Sequence, residues 1–196
     1  MNLYIGIDLG TSSLKGLLVN EEGEILRTAS SDYEVYYPEN GWSEQDPADW
    51  VKAMNRILNE LSLDHEDVIR GISFGGQMHG LVALDGDGKV IRPCILWNDG
   101  RTEAQTAWLN ECVGKDKLSE LTGKFSCDYS DASGMLLLDV EHRCWSREMC
   151  EICGVQEDWL PELHESADPV GPVKPSYGLP NAVVTAGAGD NAAASI

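Results

Sequence analysis

The sequence predicts an α/β fold, a mixed β-sheet with helices on its faces. Three observations predict it. Residues 3–26 read strand, tight turn, strand, turn, strand, a meander rather than a βαβ unit. A one-faced helical pattern follows from Asp46. Two later apolar runs, Val68–Phe74 and Ala182–Ala186, each end in glycine, as buried strands do when they lead into a ligand-facing turn.

The elements can be justified in order. Leu3–Leu9 alternates and is rich in β-formers, then meets Gly10-Thr11-Ser12-Ser13. Leu14–Val19 follows at once. Asn20-Glu21-Glu22-Gly23 signals a turn, and Ile25-Leu26 opens a third run. Asp46-Pro47-Ala48-Asp49 starts a helix, with Asp46 as N-cap and Pro47 at the first helical position. Trp50, Met54, Ile57, Leu58 and Leu61 then share one face. Leu81–Leu84, the turn Asp85-Gly86-Asp87-Gly88, and Val90-Ile91 read as a hairpin. Residues 100–112 read as a helix, Lys117–Leu121 as a short one, and Thr122–Met135 as less regular. Ser146 caps a helix running to Cys153. Residues 165–180, with prolines and glycines, read as a linker or long loop. The last strand, Ala182–Ala186, runs into Gly187-Ala188-Gly189-Asp190-Asn191, and Ala192–Ala194 starts a helix.

Composition narrows the function. Of 196 residues, 42% are hydrophobic, which suits a packed core. Acidic residues outnumber basic ones by 33 to 14, a net charge of −19. That argues against nucleic acid as a partner, because no basic patch would neutralise its phosphates. Any bound phosphate must be held locally, by backbone N–H groups or a metal. No run approaches the ~20 apolar residues of a membrane span, and Met1–Gly10 lacks the pattern of a signal peptide. The expected compartment is the cytoplasm, where the six cysteines stay reduced. Cys150 and Cys153 form one C-x-x-C, with Cys144 and His142 near it, but a zinc site wants a second pair. Both fall on the helix after Ser146, where cysteine behaves as a small core residue.

Three constellations carry chemistry. In Ile7-Asp8-Leu9-Gly10-Thr11-Ser12-Ser13, an acidic side chain ends a strand and a turn of small residues follows. Successive N–H groups of such a turn suit phosphate oxygens. Asp8 either reaches a Mg²⁺ that bridges those phosphates or merely caps a hairpin. In Gly187-Ala188-Gly189-Asp190-Asn191-Ala192, Asp190 is either a general base at a strand end or an N-cap. In Gly75-Gly76-Gln77-Met78-His79-Gly80, His79 either hydrogen-bonds a polyol or is structural. The P-loop pattern is absent, since Gly88-Lys89 is followed by Val90.

The opening Ile-Asp-Leu-Gly-Thr-Ser-Ser resembles the first phosphate motif of the actin, hexokinase and sugar-kinase superfamily. Further strings resemble the FGGY carbohydrate kinases, among them the xylulose kinases: Trp42-Ser43-Glu44-Gln45-Asp46-Pro47, Gly76–Gly80, Ile95-Leu96-Trp97-Asn98-Asp99-Gly100-Arg101, Asp128–Gly134 and Gly189-Asp190-Asn191-Ala192. The resemblance implies a ribonuclease-H-like, actin-like ATPase domain. It implies transfer of the ATP γ-phosphate to D-xylulose, with Mg²⁺, or to a near relative such as gluconate or ribulose. It assigns Asp190 as the catalytic base, and Met78, His79 and Asn191 as sugar contacts. Gly10, Thr11, Ser12 and Ser13 become the phosphate-facing turn, and Asp8 the residue near the metal. A homodimer is compatible with it.

The chain departs from the family in two ways. Family members are more than twice as long, so the expectation is an incomplete amino-terminal domain, residues 1–196, without the second actin-like domain. The stretch between Arg101 and Asp128 is also shorter than the family's, with Leu121-Thr122-Gly123 joining its two ends. A sugar-binding fragment without catalytic activity is therefore the alternative function.

Overall fold

The structure, a computed structural model, describes residues 1–114, 117, 132 and 134–190. The expected short helix at Lys117–Leu121 apart from Lys117 itself, most of the Asp128–Gly134 string, Asn191 and the Ala192–Ala194 segment lie outside the described residues.

The meander forms as the alternation requires. Strands β1 (Leu3–Leu9), β2 (Ser13–Asn20) and β3 (Ile25–Asp32) pair antiparallel in sequence order. A short strand β4 (Glu44–Gln45) precedes helix α1 (Pro47–Ser62), and β5 (Ile69–Gly76) then pairs parallel to β1. Asp46 caps α1 by accepting the Ala48 N–H at 2.9 Å, an interaction worth about 1 kcal/mol. The first three strands being antiparallel and β5 parallel makes the sheet mixed, as expected.

One face of the sheet carries the main core. Leu3, Ile5, Ile7, Leu14, Leu18, Ile69 and Ile72 pack against Ala53, Ile57, Leu58 and Leu61 of α1. Each such large aliphatic side chain contributes roughly 1.5–3 kcal/mol through burial. Trp50 and Met54, expected on the same helix face, are only partly buried at its margin.

Beyond β5, the expected hairpin at 81–91 forms as a short antiparallel reversal: Leu84 bridges Val90, the Asp85 N–H donates to the Lys89 carbonyl and the Ile91 N–H to the Ala83 carbonyl, each at 2.9 Å, although neither arm is long enough to count as a strand. The next strand, β6 (Cys94–Ile95), pairs antiparallel with β4. Helix α2 (Glu103–Cys112) starts later than residue 100. A small hairpin, β7 (Leu138–Asp139) and β8 (Cys144–Trp145), leads into α3 (Arg147–Cys153), capped by Ser146 Oγ accepting the Met149 N–H at 3.3 Å. A second core forms there from Leu137, Leu138, Trp145, Met149 and Cys150. Cys150 is buried as expected of a core cysteine, but Cys153 is exposed. His142 is held by Asp139, its ring Nδ1 lying 2.8 Å from Asp139 Oδ2.

The segment at 165–180 is not the expected linker. Residues Pro169–Pro172 form an edge strand, β9, antiparallel to β10 (Val183–Thr185). Proline has no N–H to donate, yet an edge strand needs only one side of its ladder. A 3-10 turn at Pro175–Tyr177 follows, and Leu179 and Ala182 join the main core. The last apolar run is broken at Gly187, so a separate strand β11 (Ala188–Gly189) resumes the pairing with β5. The sheet order is β3-β2-β1-β5-β10-β9, with β11 also on β5. Among the described residues, no helix is long and apolar enough to cross a membrane.

Candidate functional site

Three parallel strands end together. Asp8 of β1 lies beside Gly75 of β5, and Ala188 of β11 lies beside the same Gly75 from the other side. Gly189 is level with Gly76, and Asp190 follows immediately. Adjacent strands sit ~4.8 Å apart, so Asp8 and Asp190 stand at one end of the sheet with a single strand between theirs. Both residues are exposed. Asp8 is also directly opposite Lys15 across the β1–β2 pair.

The turn between β1 and β2 has its carbonyls tied inward. Tyr33 donates its hydroxyl to the Gly10 carbonyl. Gln45 Nε2 donates to the Thr11 carbonyl at 2.7 Å, and the Tyr33 N–H to the Ser12 carbonyl at 3.2 Å. Among the described residues, no acceptor faces the Thr11 and Ser12 N–H groups. Such a turn offers N–H donors to an anion and withholds its oxygens. Burial, and then the Asp8 charge, push the Tyr33 phenol up to about 12, so it stays protonated and keeps donating to Gly10.

Thr11 sits at the centre of a polar network. Its hydroxyl donates to Gln77 Oε1 at 3.1 Å and accepts from Trp97 Nε1 at 3.2 Å. Gln77 Nε2 donates to Gln45 Oε1 at 3.0 Å, and Trp50 Nε1 donates to the same oxygen at 3.2 Å. Gln45, Gln77 and Trp97 each lie inside a string that resembles the family, yet none carried an assigned role. The only available signal was a bulky polar side chain within a glycine- or aromatic-bounded motif.

The loop after β5 carries Met78 and His79. His79 adopts a left-handed backbone, φ 63°, which is uncommon for a residue with a side chain. Its ring packs against Gly134, where a Cβ would lie 1.9 Å from the ring. Met78 packs against Gly189, where a Cβ would lie 2.7 Å from its Cγ and Sδ. The loop is thereby set against the residue just before Asp190. Asn191 lies outside the described residues.

A second cluster ties the segment before α1 to the segment after β6. Arg101 grips Asp99 with two side-chain bonds, Nε to Oδ1 at 2.8 Å and Nη2 to Oδ2 at 2.7 Å. It also bonds Glu44 Oε1 at 2.7 Å and stacks 3.8 Å over the Trp42 ring. Arg92 reaches Glu44 Oε1 as well, at 2.6 Å. Hydrogen bonds from Arg101 and from the Ser43 N–H hold the Asp99 carboxyl well below the usual carboxylate range, against the cost of its burial. Gln45 and Trp97, which both bond Thr11, are carried by these two clasped segments.

Between the two cores, at the same strand ends, lies a cavity of about 450 Å³. Phe74, Trp145, Leu163 and Val170 give it apolar walls, and Gly76 and Gly189 form its edge toward Met78 and Asp190. Among the described residues, no group of three or more His, Cys, Asp or Glu is placed to hold a metal by itself. A cation at Asp8 would need its other ligands from water or phosphate, as Mg²⁺ accepts. The exposed Asp8 carboxylate beside a turn with free N–H groups fits such a metal–phosphate pair.

Comparison with known proteins gives concordant results. The chain matches the N-terminal domain of the FGGY family of carbohydrate kinases over residues 3–123 and again over 118–196. It is 39% identical to a xylulose kinase of Lactococcus lactis over 245 aligned positions, which take in 100% of this chain and 49% of that protein. It is 34% identical to a xylulose kinase of Escherichia coli, covering 99% of this chain and 49% of that one. Among solved structures, a xylulose kinase from Brucella ovis superposes with a TM-score of 0.87 at 32% identity, over 98% of this chain and 49% of the other. The chain thus spans about half the length of the curated relatives it matches. The Lactococcus alignment is longer than the 196 residues here, so that relative has residues within the matched span that this chain lacks. The actin-like fold, the matching strings and the family match together establish that this chain belongs to the FGGY family of carbohydrate kinases, in the part that forms their N-terminal domain.

Proposed function

We propose that this chain is the sugar- and phosphate-binding domain of an ATP-dependent xylulose kinase that forms D-xylulose 5-phosphate. The observation that carries the reading is the common strand end that bears Asp8 on one side of β5 and Asp190 on the other, with Met78 seated against Gly189. Relatives named xylulose kinases, at 34–39% identity over nearly the whole chain, support this sugar.

In this reading Asp190 accepts the proton of the terminal sugar hydroxyl. The freed oxygen bonds to the γ-phosphorus as the bond to the ADP oxygen breaks, and the phosphoryl group leaves on the sugar. Positioning and charge stabilisation supply most of the acceleration of such a transfer. Mg²⁺, when bound, neutralises phosphate charge, and Asp8 is the residue that would hold it. The Thr11–Ser13 turn offers N–H groups to phosphate oxygens. Met78, His79 and Asn191 orient the ketopentose. Most adenosine contacts are assigned to a second actin-like domain beyond these 196 residues, so the isolated chain is expected to turn over little.

Calorimetric titration with D-xylulose, ribulose and gluconate tests the sugar. Saturable binding with D-xylulose tightest is expected; a preference for gluconate would overturn the assignment. In a protein carrying both domains, Asp190→Asn should lower turnover by about 10²–10⁴-fold, the usual contribution of a positioned base. Melting should move little, because Asp190 is exposed at the first position of a helix and asparagine keeps its size. Retained turnover would return Asp190 to a capping role.

A further inference from the structure

Parallel neighbours in a sheet are joined by a crossover of about a dozen residues or more, usually a helix lying across the sheet. Strands β5 and β10 are such a pair. Among the described residues, however, the α-helical side chains of the main core all come from α1, which precedes β5. Helices α2 and α3 do lie between β5 and β10, but their apolar side chains serve the second core, and α2 has no buried residue.

The match to relatives says where a crossover helix would belong. The match to the family's N-terminal domain falls into two pieces that meet at residues 118–123, and the 245 positions aligned with the Lactococcus kinase exceed the 196 residues of this chain. The residues that relatives carry and this chain lacks therefore belong at 118–123, inside the β5–β10 crossover. Apolar side chains stand uncovered on both sides of that point: Trp108 of α2 before it, 50% exposed, and Met135 and Leu136 after it. Met135 also lines the cavity between the two cores, with Phe74, Trp145, Leu163 and Val170. Phe74 packs on the main core, and Trp145 and Leu163 belong with the second, so the apolar walls of the cavity come from both.

We propose that this cavity is a docking groove for an amphipathic helix, the crossover helix whose residues relatives carry at 118–123. The helix lays its apolar face on Phe74, Trp145, Leu163 and Val170 and joins the two cores into one. Three observations meet on this occupant: a parallel pair without its crossover helix on the sheet, a break in the family match inside that crossover, and apolar walls drawn from both cores. The proposal rests on family membership and not on the identity of the sugar.

The test uses the residues that the Lactococcus kinase carries between its counterparts of positions 118 and 123. They are added as a synthetic peptide to the chain as it stands, and inserted at that point in a second protein, because a short free helix is marginal in water. Once seated, the segment should slow amide exchange at residues 137–145 and at Val170, Gly171 and Val183–Thr185 together, by about tenfold or more. Val170→Asp then locates it. Val170 is 48% exposed in the chain as it stands, so there the change should lower the melting temperature by less than about 2 °C. In the protein with the insert the same side chain is covered, and the loss should exceed about 5 °C. The proposal is overturned if neither the peptide nor the insert slows exchange in both cores, or if Val170→Asp costs the same with and without the insert. D-xylulose titrated into the same proteins reads the proposed sugar separately, and its failure to bind would leave this result standing.

Discussion

Replacing Arg101 by methionine removes the cation that clasps the segment before α1 to the segment after β6. The side chain of Arg101 is 13% exposed, that of Asp99 1% and that of Glu44 9%, so the cluster is largely out of water. Removing one partner of a buried ion pair costs ~3–5 kcal/mol, because the other charge is left without compensation. Two features place this case at the lower end. Glu44 keeps Arg92, 2.6 Å away, and Asp99 keeps the Ser43 N–H at 2.7 Å and the Arg101 main-chain N–H at 2.9 Å. Methionine also retains part of the packing over Trp42 that the guanidinium makes. The expected loss is about 3 kcal/mol. For a chain of this size that is roughly 6–12 °C in melting temperature. Arg101→Lys keeps the charge but loses the two-pronged grip on Asp99 and the stacking, and should lose about half as much. Thermal unfolding followed by circular dichroism reads both variants. Gln45 and Trp97 ride on the clasped segments, so under the proposed function D-xylulose affinity should weaken in parallel. A drop below about 2 °C for Arg101→Met would refute the argument that this cluster is a buried clasp.

Two further outcomes follow from the same geometry. Asp99 is held below its ordinary value of 3.8, so it contributes stability that is present above that pH and is lost as pH falls through and below it. The gap in denaturant midpoint between wild type and Asp99→Asn should therefore be constant from neutral pH down to about 4 and shrink progressively as pH is lowered further below ~3.8; a gap that does not shrink at all on acidification to pH ~2 would sink the assignment. Gly187 has φ 81°, and a Cβ there would lie 2.3 Å from the Phe74 carbonyl oxygen. Gly187→Ala should cost at least about 2 kcal/mol, the left-handed penalty plus a backbone clash, and a wild-type denaturant midpoint would show that the β10–β11 break tolerates a side chain.

Much of the fold was legible without coordinates, and for local reasons. The alternation of Leu3–Leu9, the turn at Asn20–Gly23 and the Asp46-Pro47 start each act within a few residues, so the β1–β3 meander and α1 could be read directly. Asp8 and Asp190 could be singled out in the same way, since each stands beside a glycine-rich turn at a strand end. The misreading of residues 165–180 has a physical cause. Proline and glycine signal a loop locally, whereas β9 exists because β10 supplies an edge to pair with. Cys150 and Cys153 look alike on their helix, yet only the second core decides that one is buried and the other is not.

The residue types and their order along the chain determined by themselves the α/β class, the strand ends and the carboxylates there, because periodicity, caps and turns are short-range properties. Only the tertiary structure decided what those residues meet. Thr11 bonds Gln77 and Trp97, which are 66 and 86 positions away, and Arg101 bonds Glu44, 57 positions away. A hydroxyl's one proton goes to whichever acceptor the folded chain brings within ~3 Å. That acceptor is chosen by the packing of β1 against β5 and of β4 against β6, which no local pattern encodes.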